Sequence, residues 1–303
     1  MIQSVPEAPA PRPLPAARSS LAVTISGKCP PSTVARAQQA ARGWRIPFIE
    51  RKPKAPLTPL FEAFADALLV FGVDELVLWD RAGSLRFSPG MARLRIKRLD
   101  AGIDDDLLVR LAGFETGSSV LDCTLGLGAD ALVAARAVGP LGRVVGLEKS
   151  LALYALSSTG LEAHEVGSRS CRIEVLHRDA GDFLAEARPG TFDYILFDPM
   201  FERPRRSSPS FETMRRFADH APLTATMLGD AARVAQRAVL VKGSRYSHTL
   251  RRLGLAAEPS SRSASVVWAK LVGQASSSVC PEPTCPARPP DATTRPAPPR
   301  PEE

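Results

Sequence analysis

The sequence predicts an α/β protein, in which a small α+β domain precedes a mostly parallel sheet and a disordered Pro-rich tail lies at each end. Segments of strand length alternate with segments of helix length through the second part of the chain, which is typical of a parallel sheet. Fourteen of the 28 prolines lie in residues 1–20 and 279–303. These ends lack the apolar residues that would offset the entropy of chain ordering. We therefore place the tails at 1–20 and 275–303, the N-terminal domain at 21–100 and the main domain at 101–274.

The N-terminal domain has short elements of both kinds. An alternating apolar pattern predicts a first strand, an Ala-rich segment predicts a helix that ends at Gly43, and three apolar runs separated by Gly-containing turns predict a meander. The predicted strands are 21–26, 46–50, 67–71, 75–79 and 85–87, and the predicted helices are 32–43, 57–64 and the basic linker helix 90–99.

The main domain alternates strands and helices. The predicted strands are 119–123, 143–148, 172–177, 194–197, 238–242 and 265–271, and the predicted helices include 130–138, 151–165 and 214–236. In open parallel sheets a ligand binds beyond the carboxyl ends of the strands, where the strand order reverses. The residues at those strand ends are therefore the candidates for function.

A glycine-containing turn follows the first of these strands. Gly126 and Gly128 permit a tight turn and a close approach of the backbone to a ligand at a helix N-terminus. The spacing also fits the dinucleotide-binding pattern. Asp122 and Thr124 at the strand end, with Asp130 after the turn, favour a ligand that carries positive charge, because a carboxylate there would repel a pyrophosphate.

Acidic residues also follow the next two strands. Glu148 ends the second strand, where a carboxylate can accept hydrogen bonds from both hydroxyls of a ribose. Asp179 follows the third strand and is placed to accept a hydrogen bond from an adenine amino group. Asp182 lies close enough to take the place of Asp179 in this role.

The fourth strand ends in the tetrapeptide Asp198-Pro199-Met200-Phe201. The Asp198 carboxylate and a backbone carbonyl held by Pro199 can accept hydrogen bonds from an exocyclic amine, while Phe201 packs on a flat base. Attack of that amine on a methyl sulfonium then requires mainly positioning. An ordinary Asp-Pro turn is the alternative.

The turn and the tetrapeptide together resemble the class I S-adenosylmethionine-dependent methyltransferases. More narrowly, they resemble the small-subunit ribosomal RNA (guanine-N2) methyltransferase family and its uncharacterised relatives, over about residues 86–255. The resemblance implies a Rossmann-like sheet of seven strands, S-adenosylmethionine as cofactor, and methylation of an exocyclic amine of RNA, guanine N2 of rRNA. It implies that the catalytic residues are Asp198, Pro199 and Phe201, and that the cofactor-binding residues are Asp122, Thr124, Gly126, Gly128, Asp130, Glu148 and Asp179.

The charge of the chain is compatible with an RNA partner. The two ends carry +1 and −1, so the formal net charge of +7 lies on the folded part. Basic residues cluster as Arg93, Arg95, Lys97 and Arg98 in the linker helix, as Arg203, Arg205 and Arg206 after the tetrapeptide, and as Arg215 and Arg216 at the start of the next helix. Such clusters suit phosphate contacts, or alternatively a solvated face and a mobile lid. For the cluster after the tetrapeptide, substrate contact is favoured.

Other partners and sites are not expected. The chain has no run of roughly 18 apolar residues, and prolines interrupt any signal-peptide pattern, so we expect a cytoplasmic protein without a membrane span. The five cysteines and four histidines do not form metal-ligand spacing, so we expect no metal and reduced thiols. Three other functions remain open: a methyltransferase of proteins or small molecules, a nucleotide-dependent oxidoreductase, and a non-catalytic RNA-binding module.

Overall fold

The computed structural model describes residues 19–103, 106–164, 167–199, 209–259 and 265–274. Nearly all of both predicted tails therefore lies outside the described residues. The same holds for Phe201 and for the three arginines that follow it.

The N-terminal part is a four-stranded sheet with two helices. In chain order its elements are β1 (Ser19–Ile25), α1 (Pro31–Trp44), α2 (Thr58–Ala63), β2 (Ala65–Phe71), β3 (Leu76–Asp80) and β4 (Ser84–Arg86). The sheet order is β1-β2-β3-β4. The predicted meander is confirmed, since β2, β3 and β4 pair antiparallel, and β1 lies parallel to β2.

Two predictions in this part are wrong. The boundary of the N-terminal tail at residue 20 is too late, because Ser19 already pairs with Ala65 and its N–H donates to the Phe64 carbonyl. The strand predicted at 46–50 is only an isolated bridge between Val23 and Phe48. Pro47 has no N–H with which to continue a ladder, which limits the pairing to this bridge.

The main part is a sheet of seven strands, as predicted. Its elements are α3 (Gly90–Asp100), α4 (Leu107–Ala112), β5 (Ser119–Asp122), α5 (Ala129–Val138), β6 (Arg143–Glu148), α6 (Leu151–Ala163), β7 (Ile173–His177), α7 (Ala180–Glu186), β8 (Phe192–Phe197), α8 (Pro209–Phe217), α9 (Ala225–Val234), β9 (Ala235–Ser244), α10 (His248–Arg252), β10 (Ala257–Pro259) and β11 (Val266–Val272). The strand order is β10-β11-β9-β8-β5-β6-β7. Strands β5 to β9 are mutually parallel, and β11 is antiparallel to β9. The order reverses at β5, between β6 and β8.

The helix predicted over 214–236 is wrong. The structure has α8 and α9 there, and β9 begins at Ala235. Pro222 disfavours a helical conformation at the residue before it, and Thr224 then caps the N-terminus of α9 by accepting from the Met227 N–H. Arg215 and Arg216 consequently lie in the last turn of α8 rather than at its start.

A shared core joins the two sheets. Ala152, Leu153 and Leu156 of α6 belong to the same apolar cluster as the buried face of the N-terminal sheet. Gly160 makes this approach possible, because a Cβ at that position would lie 2.1 Å from Cγ of Phe87. The division into domains at residue 100 stays a prediction, since apolar packing is continuous across it. No helix of the described segments is long and apolar enough to cross a membrane.

Candidate active site

A cavity of about 400 Å³ lies at the carboxyl ends of β5, β6 and β8, where the strand order reverses. Eight of the ten predicted site residues line it: Asp122, Thr124, Gly126, Asp130, Glu148, Asp179, Asp198 and Pro199. Gly128 does not line the cavity, and Phe201 lies outside the described residues. The strand-end positions thus meet in one concave site.

The glycine turn between β5 and α5 is held by hydrogen bonds to β6 and α6. The Gly126 N–H donates to Glu148 Oε2 at 3.0 Å, and the Ser157 hydroxyl donates to the Gly126 carbonyl. Gly126 and Gly128 both have left-handed φ angles, 53° and 75°. A Cβ at Gly128 would lie 3.2 Å from Leu161, so this glycine allows the turn to pack on α6.

Glu148 is buried at the end of β6 and is held by main-chain donors. Besides Gly126, the Ser150 N–H donates to its carboxylate, to Oε1 at 2.8 Å. Burial raises the pKa of Glu148, and these two hydrogen bonds oppose that shift. Each carboxylate oxygen retains a lone pair that can accept from a ligand hydroxyl.

Asp179 lies farther along the same side of the cavity. Its carboxylate caps α7 by accepting from the Asp182 N–H at 3.1 Å, and Lys149 Nζ lies 3.0 Å from it and 3.1 Å from Asp219. Burial raises the pKa of Asp179, but hydrogen bonds, first of all the one from Lys149, outweigh burial, so the pKa lies below its usual value. Asp182 does not line the cavity, so Asp179 is the residue placed to contact a ligand.

The opposite side of the cavity contains a chain of ion pairs. Lys242 Nζ on β9 lies 2.8 Å from Oδ2 of both Asp198 and Asp130. Arg95 of α3 contacts the other oxygen of Asp130 at 2.5 Å, and its Nε lies 2.6 Å from Asp106. The Asp198 N–H donates to the Thr124 hydroxyl at 2.6 Å, which fixes the end of β8 against the end of β5.

These contacts set the ionisation of the site. Burial alone would lower the pKa of Lys242, but Asp198 and Asp130 together raise it, so the lysine stays charged. The pKa of Asp130 is lowered against the effect of its burial, because Lys242 and Arg95 both contact it. The pKa of Asp198 is raised, first by burial and also by Asp130, although Lys242 opposes the shift.

Asp122 lies between the two sides and is 3% exposed. It accepts a hydrogen bond from the Thr124 N–H at 3.0 Å. Burial, with a contribution from the negative charge of Asp130, raises its pKa to about 7. The ionised fraction of Asp122 is therefore sensitive to any cation that enters the cavity.

Lys242 has no predicted role in the site, and Arg95 does not lie where the sequence predicts it. Arg95 was predicted to contact phosphate or solvent, yet it turns inward, because Ala92, Ile96 and Leu99 place that side of α3 against the core. Its spacing from these apolar residues is a signal that could have revealed its direction. Lys242 follows the apolar run of β9, so the strand-end rule applied to Asp122 would have found it too.

The lining of the cavity fits a cationic ligand with apolar parts. Six carboxylates and only two lysines line it, and Leu127, Leu153 and Met227 supply apolar surface. S-adenosylmethionine, the cofactor implied by the resemblance, carries a sulfonium and an ammonium group that suit this charge. In the described segments, no group of three or more His, Cys, Asp or Glu side chains is arranged to hold a metal ion.

Comparisons with known proteins cover most of the chain. A family model for SAM-dependent methyltransferases matches residues 82–264. The uncharacterized protein YpiP of Bacillus subtilis is 33% identical to this chain, over 73% of this chain's length and 87% of the length of YpiP. Ribosomal RNA small subunit methyltransferase J of Coxiella burnetii is 29% identical over 72% of this chain and 87% of its own. The crystal structure of the SAM-dependent methyltransferase NGO1261 from Neisseria gonorrhoeae shares the fold, with a TM-score of 0.55 at 18% identity, over 84% of this chain and 96% of its own.

Proposed function

The chain belongs to the family of SAM-dependent methyltransferases, and from that premise we propose that it methylates an exocyclic amine of an RNA base, guanine N2 of ribosomal RNA. S-adenosylmethionine is its cofactor and supplies, when bound, an electrophilic methyl group. The oxidoreductase alternative is set aside by this membership. The specific acceptor is the part that we propose.

The position of Asp198 carries the proposal. Its carboxylate faces the cavity directly after β8, and its side chain is 31% exposed although one oxygen contacts Lys242. The remaining lone pairs can accept a hydrogen bond from an amine N–H, and the backbone carbonyl before Pro199 offers a second acceptor. Two acceptors orient a planar amine and raise the electron density on its nitrogen. Phe201, beyond the described residues, is proposed to stack on the base.

The cofactor is proposed to bind at the β5, β6 and β7 side of the cavity. Glu148 would accept from the ribose hydroxyls and Asp179 from the adenine amine, while Asp122 faces the positive charge of the methionine part. Thr124 and Gly126 line the same part of the cavity. Gly128 and Asp130 are proposed to act indirectly, the first through the shape of the turn and the second through Lys242 and Arg95.

An RNA acceptor is supported by the name of the relative from Coxiella burnetii and by the charge of the chain. That relative is a ribosomal RNA methyltransferase and aligns with 72% of this chain. The formal net charge of +7 suits a polyanion better than a small neutral amine. A protein amine is the competing acceptor, because an amine-orienting carboxylate does not by itself identify the molecule that carries the amine.

Tritium labelling tests the acceptor. The wild-type protein with S-[methyl-³H]adenosylmethionine is expected to label rRNA prepared from cells that lack this gene, and nuclease digestion should place the label on N2-methylguanosine. Testing RNA, protein and small-molecule fractions separately in the same labelling assay identifies any other methyl acceptor. Label confined to protein would overturn the RNA proposal.

Asp198→Asn tests the site. The amide removes the anion and one acceptor, so transfer is expected to fall by about 10²–10⁴-fold, while cofactor binding by calorimetry stays nearly unchanged. Asp182→Asn is the matched control, because Asp182 lies outside the cavity. An Asp198→Asn variant with wild-type turnover would show that the amine is held elsewhere.

A further inference from the structure

A second concavity, which we call the basic groove, lies between α3, α5, residues 163–164 at the end of α6 and residues 167–170. It is distinct from the catalytic cavity, since the two share no lining residue. Four cationic side chains and one carboxylate line it: Arg93, Lys97, Arg136, Arg169 and Asp100. With these charges the groove carries a formal +3.

The charges of the basic groove are only partly paired. Arg136 and Arg169 both contact Asp100, with Arg136 Nε at 2.7 Å and Arg169 Nη1 at 3.6 Å from its Oδ1. Among the described residues, no hydrogen-bond or ion-pair partner is found for the exposed side chains of Arg93 and Lys97. Two cations are therefore free to meet an anion, and two more share a single carboxylate.

Helix α3 joins the basic groove to the catalytic cavity. Met91, near its N-terminus, lines the cavity and is 70% exposed, whereas Arg93 and Lys97 line the groove. Lys97 lies six positions after Met91, which corresponds to a rise of about 9 Å along the helix. Arg95 fixes the rotation of the helix through its ion pairs with Asp106 and Asp130, and this keeps Arg93 and Lys97 on the groove side.

We propose that the basic groove binds the phosphates of the RNA nucleotides that flank the target base. A strand whose base enters the cavity past Met91 meets Arg93 first and Lys97 next along α3. One guanidinium group can donate two parallel hydrogen bonds to the oxygens of one phosphate. Contacts to phosphate give affinity that does not depend on the base sequence. This inference rests on the proposed function, because it takes RNA to be the substrate. An acidic protein segment is the alternative occupant that the test distinguishes.

Salt-dependent RNA binding tests the groove directly. The double variant Arg93→Gln/Lys97→Gln and the wild type are titrated with a fluorescein-labelled single-stranded RNA of mixed sequence at several salt concentrations. Loss of two phosphate contacts should reduce the slope of log K against log salt by about 1.4 and weaken binding by roughly tenfold near 0.1 M salt. The control Lys52→Gln/Arg188→Gln makes the same charge change at exposed sites that line neither the cavity nor the groove.

A variant with the opposite sign excludes simple loss of folding. Asp100→Asn releases Arg136 and Arg169, so RNA binding should tighten a few-fold. Glu186→Gln, which releases Arg178 on an exposed surface away from the groove, serves as its matched control and should change binding less. If both groove variants bind RNA like their controls, the proposal is wrong; if polyglutamate binding changes and RNA binding does not, the occupant is an acidic protein.

Methyl transfer is measured separately to keep the two proposals distinguishable. Groove-dependent RNA binding without any methyl transfer to RNA would overturn the proposed function and leave the groove as an RNA site. Methyl transfer to RNA that is equal in the double variant and its control, at RNA concentrations below the KM, would overturn the groove and leave the function.

Discussion

Two carboxylates on opposite sides of the catalytic cavity, those of Glu148 and Asp198, are held by different means. On the side of β6, which we call the cofactor side, Glu148 is held by the main-chain N–H groups of Gly126 and Ser150. On the side of β8 and β9, the acceptor side, Asp198 is held by the charged side chain of Lys242. Glu148 therefore has no full positive charge in contact with it, whereas the negative charge of Asp198 is partly neutralised by Lys242, which Asp198 shares with Asp130.

This difference matches the charges of the two molecules that must meet. Glu148, Asp179 and Asp219 line the cofactor side together with a single lysine, Lys149, so this side keeps a negative excess that attracts a cation. On the acceptor side Lys242 and Arg95 balance two of three carboxylates. Little uncompensated charge therefore remains on the acceptor side, which suits the binding of a neutral amine at Asp198.

Lys242→Met breaks the acceptor side and has the largest expected effect on folding. It leaves Asp130 with Arg95 alone and Asp198 without a cation, and removing one partner of a buried ion pair costs about 3–5 kcal/mol. Lys242 opposes the raised pKa of Asp198, so its loss raises that pKa further. The acidic limb of the pH–rate profile should move to higher pH, as measured under single-turnover conditions, and denaturant unfolding should show the lost stability.

Lys242→Arg is the control for this variant, because it keeps the positive charge. It should restore the position of the acidic limb even where the different shape lowers turnover. The cofactor dissociation constant should stay near the wild-type value in both variants. A large loss of cofactor affinity in Lys242→Met would show that the two sides are not separate.

Asp122→Asn sharpens the comparison at the point between the two sides. The pKa of Asp122 rises from 3.8 to about 7 on folding, so its contribution to stability is complete below pH 4 and is lost as the pH rises to 7. At pH 8 the folded wild type must bury an ionised Asp122, which costs free energy. An amide carries no charge, so the unliganded variant should be more stable than the wild type at pH 8 by roughly 2–4 kcal/mol. Thermal or urea unfolding at several pH values measures this, and calorimetry should show weaker cofactor binding.

Asp130→Asn is the matched comparison and should have the opposite sign. The pKa of Asp130 is lowered in the folded protein, so its ionised form contributes stability that is present above its unfolded pKa and is lost at low pH. The amide should therefore destabilise the protein at pH 8. Two variants of the same sign would contradict the assignment of uncompensated charge to Asp122 and paired charge to Asp130.

The sequence predicts the cofactor side better than the acceptor side for a physical reason. Ser150 lies two positions from Glu148, and Gly126 is placed opposite by the rule that parallel strands end at one edge. Lys242, in contrast, reaches Asp130 across 112 positions and Asp198 across 44. The strand-end rule could place Lys242 at this edge of the sheet, but only the order of the strands shows that it contacts Asp130 and Asp198.

The same distinction applies to the fold. Alternation of strands and helices predicts the parallel sheet, because each element is long enough to show its own period. Helices α4, α7 and α10 have only five to seven residues, so their patterns are weak, and none of them is among the helices named from the sequence. The merged helix over 214–236 arose because the apolar and Ala-rich pattern continues from α9 into β9, and only sheet pairing separates them.

Glu148→Gln breaks the cofactor side and is expected to have the smallest effect. The amide keeps one oxygen acceptor, so its NH2 group must face the N–H of either Gly126 or Ser150, and one donor loses its partner. An unsatisfied donor costs about 1–3 kcal/mol, and the displaced turn should weaken cofactor binding by roughly tenfold.

If the two sides act separately, Glu148→Gln should change cofactor binding but not the ionisation of Asp198. Calorimetry should report the weaker cofactor binding, while single-turnover rates at saturating cofactor keep the wild-type acidic limb, because Lys242 and Asp198 are untouched. Glu174→Gln, on the exposed surface of β7, controls for the loss of one charge. A shifted acidic limb in Glu148→Gln would mean that the negative excess of the cofactor side sets the ionisation of Asp198, and the neutralisation by Lys242 would then be only part of what prepares the acceptor side.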